Sequence, residues 1–205
     1  EMFKDEVDLY VFDNNSSDNT FSICNNLFKN KNNCNYKKNS ENIGIFKNQL
    51  QCLKLEGYEY IHVLGSDDLI IPGGVSKILN KINQNIFSII YLNYYAFEEN
   101  YQEPKSFFAP DKNVEFSRPY DLLNYPSVGH FSGFIFKTDC LKKHLDILLN
   151  KYETSFFEKH RGIIAFLSAY ICSFETKNTY FIGERYLATN YSKKTDYNSL
   201  EHLCV

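Results

Sequence analysis

The sequence lacks several features that mark common protein classes. Its 205 residues contain no tryptophan, one methionine and only 3 arginines, against 19 lysines. A formal net charge of −3 and a pI near 6.0 exclude a strongly basic protein that binds nucleic acid by bulk attraction to phosphate. The six cysteines form no C-x-x-C pair and no His/Cys zinc spacing, so we expect free thiols in a reducing compartment.

Long apolar runs and common nucleotide-binding motifs are also missing. The longest apolar stretch, residues 163–172, is about half of the roughly 20 residues that a membrane span needs. We therefore expect a cytoplasmic protein, and its 17% of aromatic residues is compatible with peripheral association at the inner face of a membrane. No G-x-G-x-x-G and no P-loop is present, which argues against Rossmann dinucleotide binding and P-loop NTPase chemistry.

The first 95 residues show a regular alternation of strand and helix patterns. β-rich apolar runs end in polar turns, and segments with one apolar helical face lie between them. This order predicts βαβ units and an α/β fold with a mostly parallel sheet. The predicted strands cover residues 7–13, 35–37, 58–64 and 87–94, and the predicted helices cover residues 18–28, 44–56 and 72–80.

The second half is less regular. Residues 98–118 are polar, contain two prolines and predict a loop. Because no repeat or linker is visible, we expect residues 1–205 to form one domain, with a ligand-binding half at 1–95 and a second half at 96–205. Further strands are predicted at residues 133–137 and 179–182, and helices at 138–150 and 156–173.

Two acidic clusters follow predicted strands, where ligands bind in open parallel sheets. Asp13 and Asp18 belong to the first cluster, and Asp67 and Asp68 to the second. Together they suit a nucleotide diphosphate with Mg²⁺ or Mn²⁺, since the ion takes one or two carboxylates plus phosphate oxygens. Each cluster alone is equally typical of an ordinary turn and helix cap, so the functional interpretation depends on both occurring at corresponding strand ends.

Three segments in register resemble the nucleotide-binding half of family 2 glycosyltransferases of the GT-A fold. They read VDLYVFDNNSSDNT, ENIGIFKNQL and YEYIHVLGSDDLIIPGGV. The second half is similar, more weakly, to bacterial sugar transferases of this family that build surface polysaccharides, through SVGHFSGFIFK and SFFEKH. The resemblance implies a Rossmann-like central sheet with flanking helices, a nucleotide-sugar donor, and a glycan or lipid-linked glycan acceptor.

The resemblance also implies roles for single residues. Asp67 would accept from the ribose or donor sugar, and Asp68, the last member of the D-x-D-type motif, would bind Mn²⁺ or Mg²⁺. The remaining residues would form the nucleotide pocket: Asp13 accepts from the nucleobase, Ser17 and Asp18 shape the pocket and cap the next helix, and Asn42, Gly44 and Asn48 line the nucleotide.

The family's reaction is a single displacement that inverts the anomeric centre, and a carboxylate usually deprotonates the acceptor. Many members carry this base in a Glu-Asp pair that is missing here. The nearest candidates are Glu153, Glu158 and His160, with His160 ranked slightly above Glu158 because an imidazole titrates near neutral pH. His160 and Glu158 could equally lie on a solvated helix start. Two alternatives stay open: a degenerate domain that binds nucleotide or glycan without turnover, and a nucleotidyltransferase, which would normally carry an early Gly-rich basic loop.

The start of the sequence carries a last expectation. Family 2 domains have one strand and one helix ahead of the strand at residues 7–13. We therefore expect one βα unit of about 30 residues that the printed sequence does not include.

Overall fold

The computed structural model describes residues 6–84, 86–126, 128–160 and 162–191. In this part of the chain no helix is long and apolar enough to cross a bilayer. A 3₁₀ turn covers Phe131–Gly133. The strands are β1 Leu9–Asp13, β2 Cys34–Lys38, β3 Tyr60–His62, β4 Asp68–Ile70, β5 Ile89–Phe97, β6 Ser106–Phe107, β7 Val114–Phe116, β8 Phe134–Lys137 and β9 Thr179–Asn190. The helices are α1 Thr20–Phe28, α2 Gly44–Leu53, α3 Gly74–Gln84, α4 Tyr120–Leu123, α5 Thr138–Lys151, α6 Thr154–Lys159 and α7 Ile164–Phe174.

The strands form two sheets. β1 and β2 are a parallel pair, and the larger sheet has the order β3-β8-β5-β9-β4, with β6 on β5 and β7 on β9. Within the larger sheet β5 and β9 are parallel, whereas the other pairings are antiparallel. The predicted α/β fold is thus confirmed, with a mixed central sheet flanked by helices.

The central strand β5 divides the core because alternate side chains point to opposite faces of a sheet. Ile89 and Tyr91 pack into the larger apolar cluster, which includes residues of α2, α5 and α7. Ile90 and Leu92 pack into the smaller cluster, which includes residues of α3. All four side chains are fully buried.

A register shift between β5 and β9 forms a bulge in the sheet near the second acidic cluster. The shift falls between Leu92 and Tyr94, and Asn93 lies fully buried within it. The Nδ2 of Asn93 donates to the carbonyl of Gly183 at 2.7 Å, and its Oδ1 accepts the N–H of Tyr94 at 2.9 Å. Beyond this bulge β9 pairs with β4, which begins at Asp68.

The second half departs from the predicted elements. The helix predicted at residues 156–173 is two helices, α6 and α7, because Gly162 between them has φ +122° and packs against Gln49. β9 is far longer than the predicted strand at 179–182, and the loop predicted at 98–118 contains the short strands β6 and β7. His144 on α5 is 1% exposed, and its Nε2 lies 2.9 Å from Oε1 of Glu175.

An apolar cleft of about 530 Å³ separates the two sheets. β1 pairs with β2, and β3 pairs with β8; the opposite edges of β1 and β3 face this cleft and pair with no strand in the described ranges. The hydroxyl of Tyr58, just before β3, donates to Asp8 at 2.7 Å and contacts the hydroxyl of Tyr10 at 2.8 Å, so both strands begin at the same end of the cleft. Val75, Ile78, Leu79 and Ile82 of α3 cover one face of the cleft.

Candidate functional site

Asp13, the first predicted site residue, lies fully buried at the end of β1. Its Oδ1 accepts the backbone N–H of Ser16 at 2.7 Å, and its Oδ2 accepts the hydroxyl of Tyr36. Burial raises the pKa of Asp13, but the hydrogen bonds from Ser16 and Tyr36 and the charge of Lys38 outweigh it and hold this pKa below its ordinary value. Asp13 is therefore an ionised carboxylate, and an N–H group of a ligand would reach it by displacing the hydroxyl of Tyr36.

An asparagine pair fixes the turn before α2. The Nδ2 of Asn14 donates to Oδ1 of Asn42 at 2.7 Å, and Oδ1 of Asn14 accepts the N–H of Ile43 at 2.9 Å. Oδ1 of Asn42 also accepts the N–H of Gly44 at 3.0 Å. Gly44 begins α2 with φ +80°, and a Cβ there would meet nothing within 4 Å. Asn42 and Gly44 thus border open space next to the end of β1.

Asn48 lies deeper, on the buried face of α2. It is fully buried, and its Nδ2 donates to the carbonyl of Phe12 at 3.0 Å. Its Oδ1 accepts from Asn39 at 3.0 Å and from Gln51 at 3.2 Å. These bonds hold the end of β1 in place, so Asn48 stabilises the position of the first acidic cluster.

Ser17 and Asp18 are exposed in the turn between β1 and α1. Oδ1 of Asp18 accepts the N–H of Thr20 at 2.9 Å and its hydroxyl at 2.5 Å. These hydrogen bonds lower the pKa of Asp18. Thr20 is the first residue of α1, so this contact orders the turn just before the helix, whereas the N-cap position is Asn19 and no side chain makes a capping hydrogen bond there.

The second cluster centres on Asp68, which is 5% exposed at the start of β4. The hydroxyl of Ser132 donates to Oδ2 of Asp68 at 2.5 Å and accepts the N–H of Gly65 at 2.9 Å. The N–H of Asp68 donates to the carbonyl of Gly65 at 3.1 Å. One serine thereby ties the loop between β3 and β4 to the 3₁₀ turn, although Ser132 and Asp68 are 64 positions apart.

His130 reaches the same carboxylate from the loop before the 3₁₀ turn. Its Nε2 lies 3.3 Å from Oδ2 of Asp68. The hydroxyl of Tyr91 accepts the N–H groups of Gly129 at 3.2 Å and His130 at 3.1 Å. The ring of Tyr91 also covers Gly133, where a Cβ would lie 2.5 Å from Cζ, so a larger residue at 133 would displace the loop. Tyr91 thus sets the position of His130 against Asp68.

The electrostatics of this cluster follow from its burial. Burial raises the pKa of Asp68 to about 7, and the hydrogen bond from Ser132 opposes this shift. Burial lowers the pKa of His130 to about 4, so its imidazole is neutral at neutral pH. The half-buried Asp67 adds a second negative charge nearby. In the described ranges Asp68 has no Lys or Arg partner.

Glu158 and His160 lie together at the end of α6, and both are exposed. Nδ1 of His160 lies 2.6 Å from the carbonyl of Phe156. Since a carbonyl only accepts, Nδ1 carries the hydrogen and Nε2 keeps the lone pair. α6 packs on α2 through stacked rings of Phe46 and Phe157, 5.1 Å apart. Within the described residues, no hydrogen bond joins Glu158 or His160 to either acidic cluster.

Local sequence patterns do not predict several of the contacts that organise the two clusters. Ser132 and His130 lie in a segment that the resemblance covers, but their contact with Asp68 has no local signal. Tyr36 lies on a short strand and Tyr91 on a buried strand. Aromatic residues in strands usually belong to the hydrophobic core, so neither residue stands out in the sequence.

Comparison with known proteins identifies the family. The sequence matches the model of glycosyl transferase family 2 over residues 2–142, and the chain belongs to this family. No curated protein sequence matches it.

Solved structures with the same fold include two complexes of S. aureus TarS residues 1–349. The complex with UDP has a TM-score of 0.69 and 18% identity, covering 90% of this chain and 51% of that chain. The complex with UDP-GlcNAc has a TM-score of 0.67 and 18% identity, covering 95% of this chain and 52% of that chain. The present chain thus spans about half the length of these TarS structures, which are GT-A glycosyltransferase structures.

Proposed function

We propose that this protein is an inverting glycosyltransferase that moves a sugar from a nucleotide-sugar donor to a glycan or lipid-linked glycan acceptor in surface-polysaccharide synthesis. Membership of family 2 supports the reaction class. The observation that carries the proposal is the buried Asp68, which has no Lys or Arg partner in the described ranges and lies in the segment where the resemblance places the metal and diphosphate. The TarS complexes with UDP and UDP-GlcNAc support a uridine nucleotide as the first donor to test.

The nucleotide would bind at the first cluster. The ionised Asp13 would accept a nucleobase N–H once the hydroxyl of Tyr36 has moved aside. Asn42 and Gly44 border the open space in which the nucleoside would lie. Asp67, half-buried next to Asp68, would accept from the ribose or the donor sugar. Asn48 would act indirectly by holding the end of β1.

A divalent cation, Mn²⁺ or Mg²⁺, fits the donor set around Asp68. A carboxylate oxygen is the ligand that both ions prefer, and a bound cation would compensate a buried charge that is otherwise costly. Ser132 would keep the carboxylate in position. When bound, the cation would stabilise the negative charge of the departing diphosphate.

His160 is our candidate for the base that takes the proton of the acceptor hydroxyl. Its Nε2 has the lone pair that this step needs, because Nδ1–H donates to the carbonyl of Phe156. Glu158 is the second candidate and would act through its carboxylate.

Steady-state transfer from UDP-GlcNAc tests these roles. We expect His160→Asn to lower kcat by roughly 10²–10⁴-fold with little change in donor KM, since the base acts in the transition state. Asp68→Asn should lower metal-dependent turnover by about 10²-fold or more. Lys159→Gln, a change at the exposed residue between the two candidates, serves as the control and should be near normal. Full activity of His160→Asn together with a loss in Glu158→Gln would transfer the role to Glu158.

Product analysis distinguishes the alternative functions. A glycosyltransferase releases UDP, whereas a nucleotidyltransferase supplied with a nucleoside triphosphate and a sugar phosphate releases pyrophosphate. Donor binding measured by calorimetry, without hydrolysis or transfer over a panel of nucleotide sugars, would instead show a degenerate domain.

A further inference from the structure

His130 lies beside Asp68, and no sequence motif assigns a metal-binding role to it. Its Nε2 and Oδ2 of Asp68 are 3.3 Å apart. This separation is longer than the roughly 2.7–3.2 Å of a good N–H···O hydrogen bond. It is close to the spacing of about 3 Å between two adjacent ligands of one octahedral ion with bonds of about 2.1 Å.

The surroundings of the two side chains hold them in this arrangement. The hydroxyl of Ser132 donates to Oδ2 of Asp68, and the backbone N–H of Asn190 also bonds this carboxylate. Tyr91 fixes the backbone of His130. The ring of Tyr94 meets the imidazole edge-on, with centroids 5.1 Å apart. Neither donor therefore has to reorganise much to bind an ion between them.

The charges around the pair favour a cation over a direct ion pair. Asp68 is almost completely buried and has no Lys or Arg partner in the described ranges. Its neighbour Asp67 adds negative charge. An uncompensated buried carboxylate is costly, and an ion shared with a neutral imidazole removes that cost.

We propose that His130 Nε2 and the Asp68 carboxylate bind the same divalent cation, and that His130 makes this site prefer Mn²⁺ over Mg²⁺. The inference rests on the proposed function, which supplies the metal at Asp68. No three His, Cys, Asp or Glu side chains of the described residues converge on one ion, so phosphate oxygens and water complete the shell. An imidazole ligand favours later transition metals over Mg²⁺, which prefers oxygen, and Mn²⁺ accepts both donor types.

Electron paramagnetic resonance on the full-length protein with MnCl₂, with and without UDP, tests the proposal. We expect spin-echo modulation from a directly bound ¹⁴N in the wild type, which requires no variant. His130→Asn should abolish the modulation and weaken Mn²⁺ binding at least about tenfold. Its Mg²⁺ affinity, measured by competition, should change by less than about threefold.

The matched control is His144→Asn, the same change at another buried histidine beside a carboxylate. It should keep both the ¹⁴N modulation and the Mn²⁺ affinity. The role of His130 would be overturned if Mn²⁺ binding depended on Asp68 but showed no ¹⁴N modulation and did not change in His130→Asn. The metal site at Asp68 would stand in that case. Mn²⁺ binding that is also unaffected by Asp68→Asn would overturn the metal site itself and, with it, this inference.

Discussion

Ser132 shows how a single buried side chain can hold two parts of the site together. Its hydroxyl is both the donor to Asp68 and the acceptor of the Gly65 N–H, and the residue is fully buried. Loss of this group would remove a donor to the buried Asp68 carboxylate and leave the buried Gly65 N–H without its acceptor. Unsatisfied buried groups cost more than the bond itself contributes.

We therefore predict that Ser132→Ala lowers the free energy of unfolding by about 2–3 kcal/mol. Ser168→Ala is the control, since Ser168 is equally buried but donates only to the carbonyl of Ala165 within α7, at 2.9 Å. That change should cost about 1 kcal/mol or less. Urea denaturation of both variants measures the difference, and equal costs would contradict the double role of Ser132.

At the scale of elements, local patterns predicted the first half well. β1, α1, β2 and α2 follow from apolar runs and turns that lie within a few residues of each other, and Gly44 marks the start of α2 as expected. Pairing between distant segments has no such local signal. β5 and β9 pair although they lie about 90 positions apart in the sequence. β4 is only three residues long, and it is a strand because it pairs with β9.

The same contrast explains the candidate site. The acidic clusters are contiguous in sequence and could be recognised, whereas the contacts of Asp68 with Ser132 and His130 require long-range pairing that brings the 3₁₀ turn to β4. The contact of His144 with Glu175, which follows α7 and is 31 positions away, has no local signal either.

The apolar cleft offers a further strand two edges with which to pair. Among the described residues the edges of β1 and β3 that face it pair with no strand, and Val75, Leu79 and Ile82 of α3 are only half-buried on one face. An added strand would pair with both edges and cover these side chains.

Hydrogen exchange on the full-length protein measures this pairing. We expect slow exchange for the amides of β1 and β3 that face the cleft, because they would be hydrogen-bonded to the added strand. The outer edge of β2, which pairs with no strand in the described part, is the internal control and should exchange fast. Equally fast exchange at all three edges would show that no strand fills the cleft.

On the scale of the whole molecule, a few carboxylates link stability to pH. Glu175 joins α5 to the end of α7: its Oε1 lies 2.7 Å from Nζ of Lys143 and 2.9 Å from Nε2 of His144. Burial raises the pKa of Glu175, but these two partners outweigh it and hold this pKa below its ordinary value. Asp68 has a raised pKa and acts in the opposite direction, so the total pH profile combines several groups.

The contribution of Glu175 can be separated by comparing the wild type with Glu175→Gln across pH. A carboxylate whose pKa is lower in the folded state binds fewer protons there, so its stabilisation is present above the ordinary value of 4.5 and is lost as the pH falls through the folded pKa. The stability advantage of the wild type should therefore be full at pH 6–7, where we expect about 1–2 kcal/mol, and should shrink steadily below about pH 4.5. Glu56→Gln removes an exposed ion pair with Lys142, 3.5 Å long, and should cost less than about 1 kcal/mol. Thermal denaturation at matched ionic strength gives these differences, and an advantage that grows as the pH falls would refute the assigned sign.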